Sequence, residues 1–101
     1  GEALLERINQ DIKPIVRGYA IMALGNLGDP SHIKALITHT HRESDDKVLA
    51  ALAYAFGALK AQEALPILKK LTTYPNPEVK TYAEDAIAKI KTKAPSKPTK
   101  K

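Results

Sequence analysis

The feature that most constrains this chain is a repeat of 31 to 32 residues running through its body. Val16, Val48 and Val79 mark three copies, and their surroundings agree. Four positions on stand Ala20, Leu52 and Ala83; seven on, Ala23, Ala55 and Ala86; eight on, Leu24, Phe56 and Ile87; eleven on, Leu27, Leu59 and Ile90. These offsets fall on one face of an α-helix. At the ninth position stand Gly25, Gly57 and Ala88. Small side chains at the seventh and ninth positions let a neighbouring helix approach closely. A second helix follows in each unit, lined by Ile33, Leu36 and Ile37 in one copy and by Leu65, Leu68 and Leu71 in the next. Units that cannot bury an apolar face alone do so by stacking, so the pattern predicts an all-α solenoid.

The spacing predicts about six helices, over 2–9, 14–27, 31–41, 46–59, 62–73 and 77–91. Asn76-Pro77 supplies an N-cap followed by proline at the first helical position, and Pro14 matches Pro77 in register. Ser44-Asp45-Asp46 caps the helix that follows it, and Gly28-Asp29-Pro30 breaks the chain between two helices. After Lys47 the helix to Leu59 is apolar all round, as a helix covered on both sides must be. The helix from Pro77 carries Lys80, Glu84, Asp85 and Lys89 on one flank, which suits an end position. Ala55 is expected in the tight contact between successive units. Leu4 stands 12 residues before Val16, as Leu36 stands before Val48, so residues 2–9 read as the second helix of a unit whose first is missing. The start at Gly1, halfway through a repeat, reads the same way. Residues 1–92 are therefore expected to be the C-terminal part of a longer solenoid, with Leu5 and Ile8 on an apolar edge.

Charge separates the body from the end. The net charge is +5, yet residues 93–101 hold four lysines and no acid, so the remainder is close to neutral. That Lys/Pro-rich segment has no large apolar side chain and is expected to be disordered. It reads either as a solubilising tail or as an electrostatic site, Lys93, Lys97, Lys100 and Lys101, for an acidic partner or nucleic acid. No aromatics are interleaved with the lysines, which argues against base-specific readout. The absence of cysteine excludes disulfides, thiolate zinc sites and cysteine nucleophiles. The longest uncharged apolar stretch, Val48 to Leu59, is too short to span a bilayer, so no membrane partner is expected.

The run Val16-Arg-Gly-Tyr-Ala-Ile-Met-Ala-Leu-Gly-Asn-Leu-Gly-Asp29 resembles the HEAT-like repeat of the phycobilisome-lyase type. That pattern has Val-Arg, spaced alanines, then Ala-Leu-Gly-x-Leu-Gly-Asp. The later units are looser: Leu49 replaces the arginine, Lys60-Ala61 replaces Gly-Asp, and the third unit lacks both glycines. Tetratricopeptide and ankyrin repeats fit neither the period nor the motifs. The resemblance implies a right-handed superhelix of helical hairpins, with second helices on the concave side. It also implies a protein-binding scaffold or, more narrowly, a bilin-lyase subunit.

Little in the sequence points to chemistry. His39 and His41, with His32, Asp45 and Asp46, form the one cluster that suggests a metal. On a helix, positions two apart diverge, so His39 and His41 cannot chelate together. Register places His39 at an inward position opposite Leu71. Glu84 and Asp85 diverge likewise, Ser44 has no triad partner, and the glycines at 25 and 28 lack a phosphate-loop lysine. No enzyme, cofactor or metal is expected. Tyr19 and Tyr82 share a register position and read as core or rim packing. The candidate binding surface is the outward face of the second helices, expected to be concave: Lys34, Thr38 and His41, then Lys70 and Thr73. Lys69 lies beside them, and Glu2 and Glu6 fall on the same face at the amino end. The strip reads either as an ordinary solvated helix face or as a groove for a protein segment.

Overall fold

The computed structural model describes residues 13–91. The expected helix over 2–9, the Leu5–Ile8 edge, Glu2, Glu6 and the four tail lysines lie outside those residues. Five α-helices follow one another: α1 (Pro14–Leu27), α2 (Ile33–Thr40), α3 (Asp46–Leu59), α4 (Leu65–Leu71) and α5 (Pro77–Lys91). The first helices α1, α3 and α5 carry the three copies of the repeat, and α2 and α4 are the second helices between them.

The second helices differ from the expectation of single elements over 31–41 and 62–73. Each begins as a 3₁₀ turn, Pro30–His32 and Gln62–Ala64, before the α-helix starts. Proline is the cause at α4. The Leu65 N–H donates to the Gln62 carbonyl three residues back, and Pro66 has no N–H to continue with a four-residue bond. Before α2, Pro30 opens the turn and the Ile33 N–H donates to its carbonyl.

The expected caps are in place. The Asp45 carboxylate accepts from the N–H groups of Lys47 and Val48 at 2.9 and 3.2 Å. Asn76 accepts from the Glu78 N–H at 2.8 Å and donates to the Asp46 carboxylate at 3.0 Å, tying the start of α5 to the start of α3. Gly28 ends α1 in the left-handed conformation at φ 73°, and Lys60 holds the matching place after α3 at φ 52°. A side chain there costs about 1–2 kcal/mol that glycine avoids.

Helix α3 lies between α1 and α5, and the two contacts repeat. A Cβ added at Gly25 would lie 2.7 Å from the Ala55 Cα, and one added at Gly57 would lie 2.9 Å from the Ala86 Cα. The ninth residue of one unit therefore meets the seventh of the next, backbone nearly on backbone. Behind these contacts Leu24, Leu36, Leu52, Phe56, Leu68 and Ile90 are buried in one core. Burying such side chains contributes about 1.5–3 kcal/mol each.

Burial follows position in the stack. Val48 and Val79 are fully buried, whereas Val16 is 42% exposed and Leu27 61%. Ala55 and Ala86 are buried, and their counterpart Ala23 is exposed. Among the described residues nothing covers this face of α1 as α1 covers α3. At the other end Lys80, Glu84, Asp85, Ala88 and Lys89 are exposed.

Two outcomes test this packing. Ala55→Leu is expected to destabilise the fold by roughly 1–3 kcal/mol through overpacking, read as a lowered Tm; an unchanged Tm would contradict the contact. Lys60→Gly is expected to stabilise it by about 0.5–1 kcal/mol, the relief of left-handed strain less the added freedom of the unfolded chain. Chemical denaturation of both proteins measures the difference.

Candidate functional site

The strip expected on the second helices is solvent-facing throughout: Lys34, Thr38, His41, Lys70 and Thr73 are all exposed. Its hydroxyls are already engaged. Thr38 donates to the Lys34 carbonyl at 3.1 Å, and Thr73 donates to the Lys70 carbonyl at 2.7 Å. What the strip offers a partner is positive charge on two successive helices. Lys69 is exposed beside it.

His39 faces inward, as its register requires, while His41 points to solvent, so the pair diverges. His39 belongs to a partly buried ionic knot that links three helices. Arg17 of α1 makes two hydrogen bonds to Glu43 at 3.2 and 3.0 Å. His39 Nε2 of α2 lies 2.8 Å from the same carboxylate, and the Asp45 N–H before α3 donates to it at 3.0 Å. Burial alone would raise the Glu43 carboxyl, but the donors from Arg17, Asp45 and His39 and the Arg17 charge outweigh it and hold the carboxyl below its ordinary value. Neither Arg17 nor Glu43 stood out as a pair in the sequence, since 26 residues separate them. The available signal was the Val16-Arg17 dipeptide and a glutamate four residues after an inward histidine.

A concave feature among the described residues lies on the opposite elements, across the three first helices. It is a groove of about 270 Å³. Its floor is made of Gly18, Ala50 and Ala51, and its walls of Ile15, Tyr19 and Met22 from α1, Tyr54 from α3 and Tyr82 from α5. Lys47 and Glu78 add one charge of each sign. The small floor follows from close approach: a Cβ on Gly18 would stand 3.7 Å from the Ala51 Cβ.

Tyr54 is held from three sides. Its hydroxyl donates to the Asn26 side chain at 2.5 Å, its ring meets Tyr82 edge-on at 6.5 Å, and the Lys89 ammonium stands 5.7 Å from its centre. Tyr19 differs sharply, with 67% of its surface open. The expectation that Tyr19 and Tyr82 serve in the core or its rim therefore fails for Tyr19. It forms a wall of the groove because the equivalent residue on the neighbouring helix is Ala51, which leaves a gap rather than a packing partner. That substitution was visible in the repeat as the one small residue at the tyrosine position.

Among the described residues no group of three or more His, Asp or Glu side chains is placed to hold a metal, and no helix is long and apolar enough to cross a membrane. At about 270 Å³ the groove falls just below the usual range of small-molecule pockets.

The ionic knot makes the stability pH-dependent. A carboxyl held below its unfolded value stabilises the fold above that value, about 4.5, and the contribution is lost as pH falls through the folded-state value. Glu43→Gln is expected to lower stability at pH 7 by roughly 1–3 kcal/mol. It is also expected to flatten the decline of Tm below about pH 4.5, where the wild-type carboxylate takes up its proton. Equal acid slopes for the two proteins would contradict the assignment.

No curated protein matches the chain. Comparison with protein families matches residues 1–88 to HEAT repeats, which typically serve as scaffolds or protein-interaction modules. The match takes in the small residues that interlock in the stack, Gly25, Ala55, Gly57 and Ala86, and the chain belongs to the HEAT-repeat family.

Proposed function

We propose that this chain is a non-catalytic protein-interaction module that receives an extended segment of a partner protein in the tyrosine-lined groove across its first helices. The observation that carries this reading is Tyr19, a large aromatic side chain left two-thirds open beside a floor of alanine and glycine. Aromatic rings supply contact area at little cost in side-chain entropy, and a floor with nothing larger than a methyl group leaves room for a backbone to lie close. The charges of Lys47 and Glu78 favour a segment of mixed sign.

A second surface supports the same function. The exposed lysines at 34, 69 and 70 suit an acidic segment laid along the second helices. The basic tail, with Lys93, Lys97, Lys100 and Lys101, remains a separate reading for nucleic acid, tested by the salt dependence of binding with and without residues 93–101. We further group the first unit with the phycobilisome-lyase type of repeat. Two glycines of its Gly-x-x-Gly element have physical work to do here, Gly25 against Ala55 and Gly28 in the left-handed turn. Participation in a bilin lyase would follow only if the chain promotes adduct formation between bilin and an acceptor protein, read by absorbance.

Selection of a displayed library of random peptides against the chain tests the groove. Tyr19→Ala is expected to weaken the selected peptides about tenfold or more while Tm stays nearly unchanged, because the residue is exposed and aromatic anchors dominate such interfaces. Peptides indifferent to Tyr19→Ala, but lost on charge reversal at Lys34 and Lys70, would move the site to the second helices.

A further inference from the structure

The groove has a candidate occupant within the chain. Residues 95–98 read Pro-Ser-Lys-Pro, two prolines separated by two residues, with Lys97 between them and further lysines on either side. A segment of this pattern favours the polyproline II conformation, and such segments dock in grooves lined by aromatic rings. We propose that Pro95-Ser-Lys-Pro98 lies in the tyrosine groove of its own chain and competes with the partner segment for it. This rests on the groove being a peptide site, as argued above.

Three observations support it. Pro95 stands four residues in sequence after Lys91, the end of α5, and α5 contributes Tyr82 and Glu78 to the groove. Tyr82 lies nine residues before the end of α5, about 13 Å back along a helix that rises 1.5 Å per residue. Pro95 lies four residues beyond that end and Pro98 seven, so at ~3.1 Å per residue they reach about 12 and 22 Å. A contour of that length lets a chain that turns back at the end of α5 bring Pro98 to the Tyr82 ring, beside which Tyr54 stands at 6.5 Å. Charge points the same way. Glu78, Tyr82 and Asp85 share one stripe of α5 at spacings of four and three, so acids flank the ring on the route that the tail lysines would follow. Lys89 continues that stripe four residues after Asp85 and Lys47 lines the groove, so Glu78, the acid farther from Lys89 along α5, is the expected partner of Lys97.

The tether sets the expected strength. A short linker gives an effective concentration in the millimolar range, so even a weak segment would hold the groove for much of the time and tax any outside ligand by that occupancy. The test uses the full chain and its Pro95→Ala/Pro98→Ala variant, compared through the ring resonances of all four tyrosines and through titration with a library-selected peptide. Tyr19, Tyr54 and Tyr82 resonances are expected to shift between the two proteins, while Tyr74, which lies outside the groove, stays in place. The peptide is expected to bind the variant about twofold to fivefold more tightly. Lys97→Glu is expected to give part of the same shift.

Superimposable tyrosine resonances with equal peptide affinity would overturn the proposal and leave the groove standing as a peptide site. Resonance shifts in the absence of any peptide binding would uphold tail docking while defeating the partner-segment reading. Shifts that grow with protein concentration would overturn the intramolecular form, because the segment would then come from a second copy.

Discussion

Two close approaches organise this molecule: Gly25 against Ala55 and Gly57 against Ala86. Helices meeting through glycine and alanine can bring their backbones nearer than larger side chains allow. Because the ninth residue of each unit meets the seventh of the next, one contact rule generates the whole row of first helices. The larger apolar residues on either side, among them Leu24, Leu52 and Phe56, then close around the crossing and keep water out. The second helices add less to this row. They are short, they begin in 3₁₀ turns, and their outward faces are polar.

The same rule shapes the surface. Where small residues lie at the crossings, the neighbouring positions on the outer side are drawn together as well, and Gly18 approaches Ala51. A floor of small residues bounded by tyrosines is the result. The ionic knot of Arg17, Glu43 and His39 works at the other side of α1, fixing it to the start of α3 where the apolar face of α1 is only partly covered. Stacking and the knot thus divide the task of holding α1.

Much of this was legible from the repeat alone. The bounds of α1, α3 and α5 follow from Pro14, Asp45, Pro77 and the residues that end each helix, and the place of Ala55 follows from register. The 3₁₀ turns were not legible because Pro66 sits inside a sound helical pattern, and only the backbone bond at Leu65 shows what it interrupts. The candidate binding surface was the least legible. The second-helix strip follows from amphipathicity, which marks what is polar and says nothing of concavity. The groove arises from three residues on three helices, Tyr19, Ala51 and Tyr82, sharing one register position. Similarity between units showed the fold; the difference at that position made the groove. Glu43 was missed for a related reason, since a loop residue carries no periodicity.

Because the groove is drawn across three consecutive units, its width is a property of the stack and belongs to no single hairpin. Tyr54 on α3 bonds to Asn26 on α1 and meets Tyr82 on α5, so the wall itself spans the joints. Any change in the angle between units opens or narrows the space between Tyr19 and Tyr82. By reciprocity, a segment that prefers one width favours one curvature. If the groove holds a partner segment as proposed, its occupancy is coupled to the bending of the solenoid, and a pull on the ends acts on that binding.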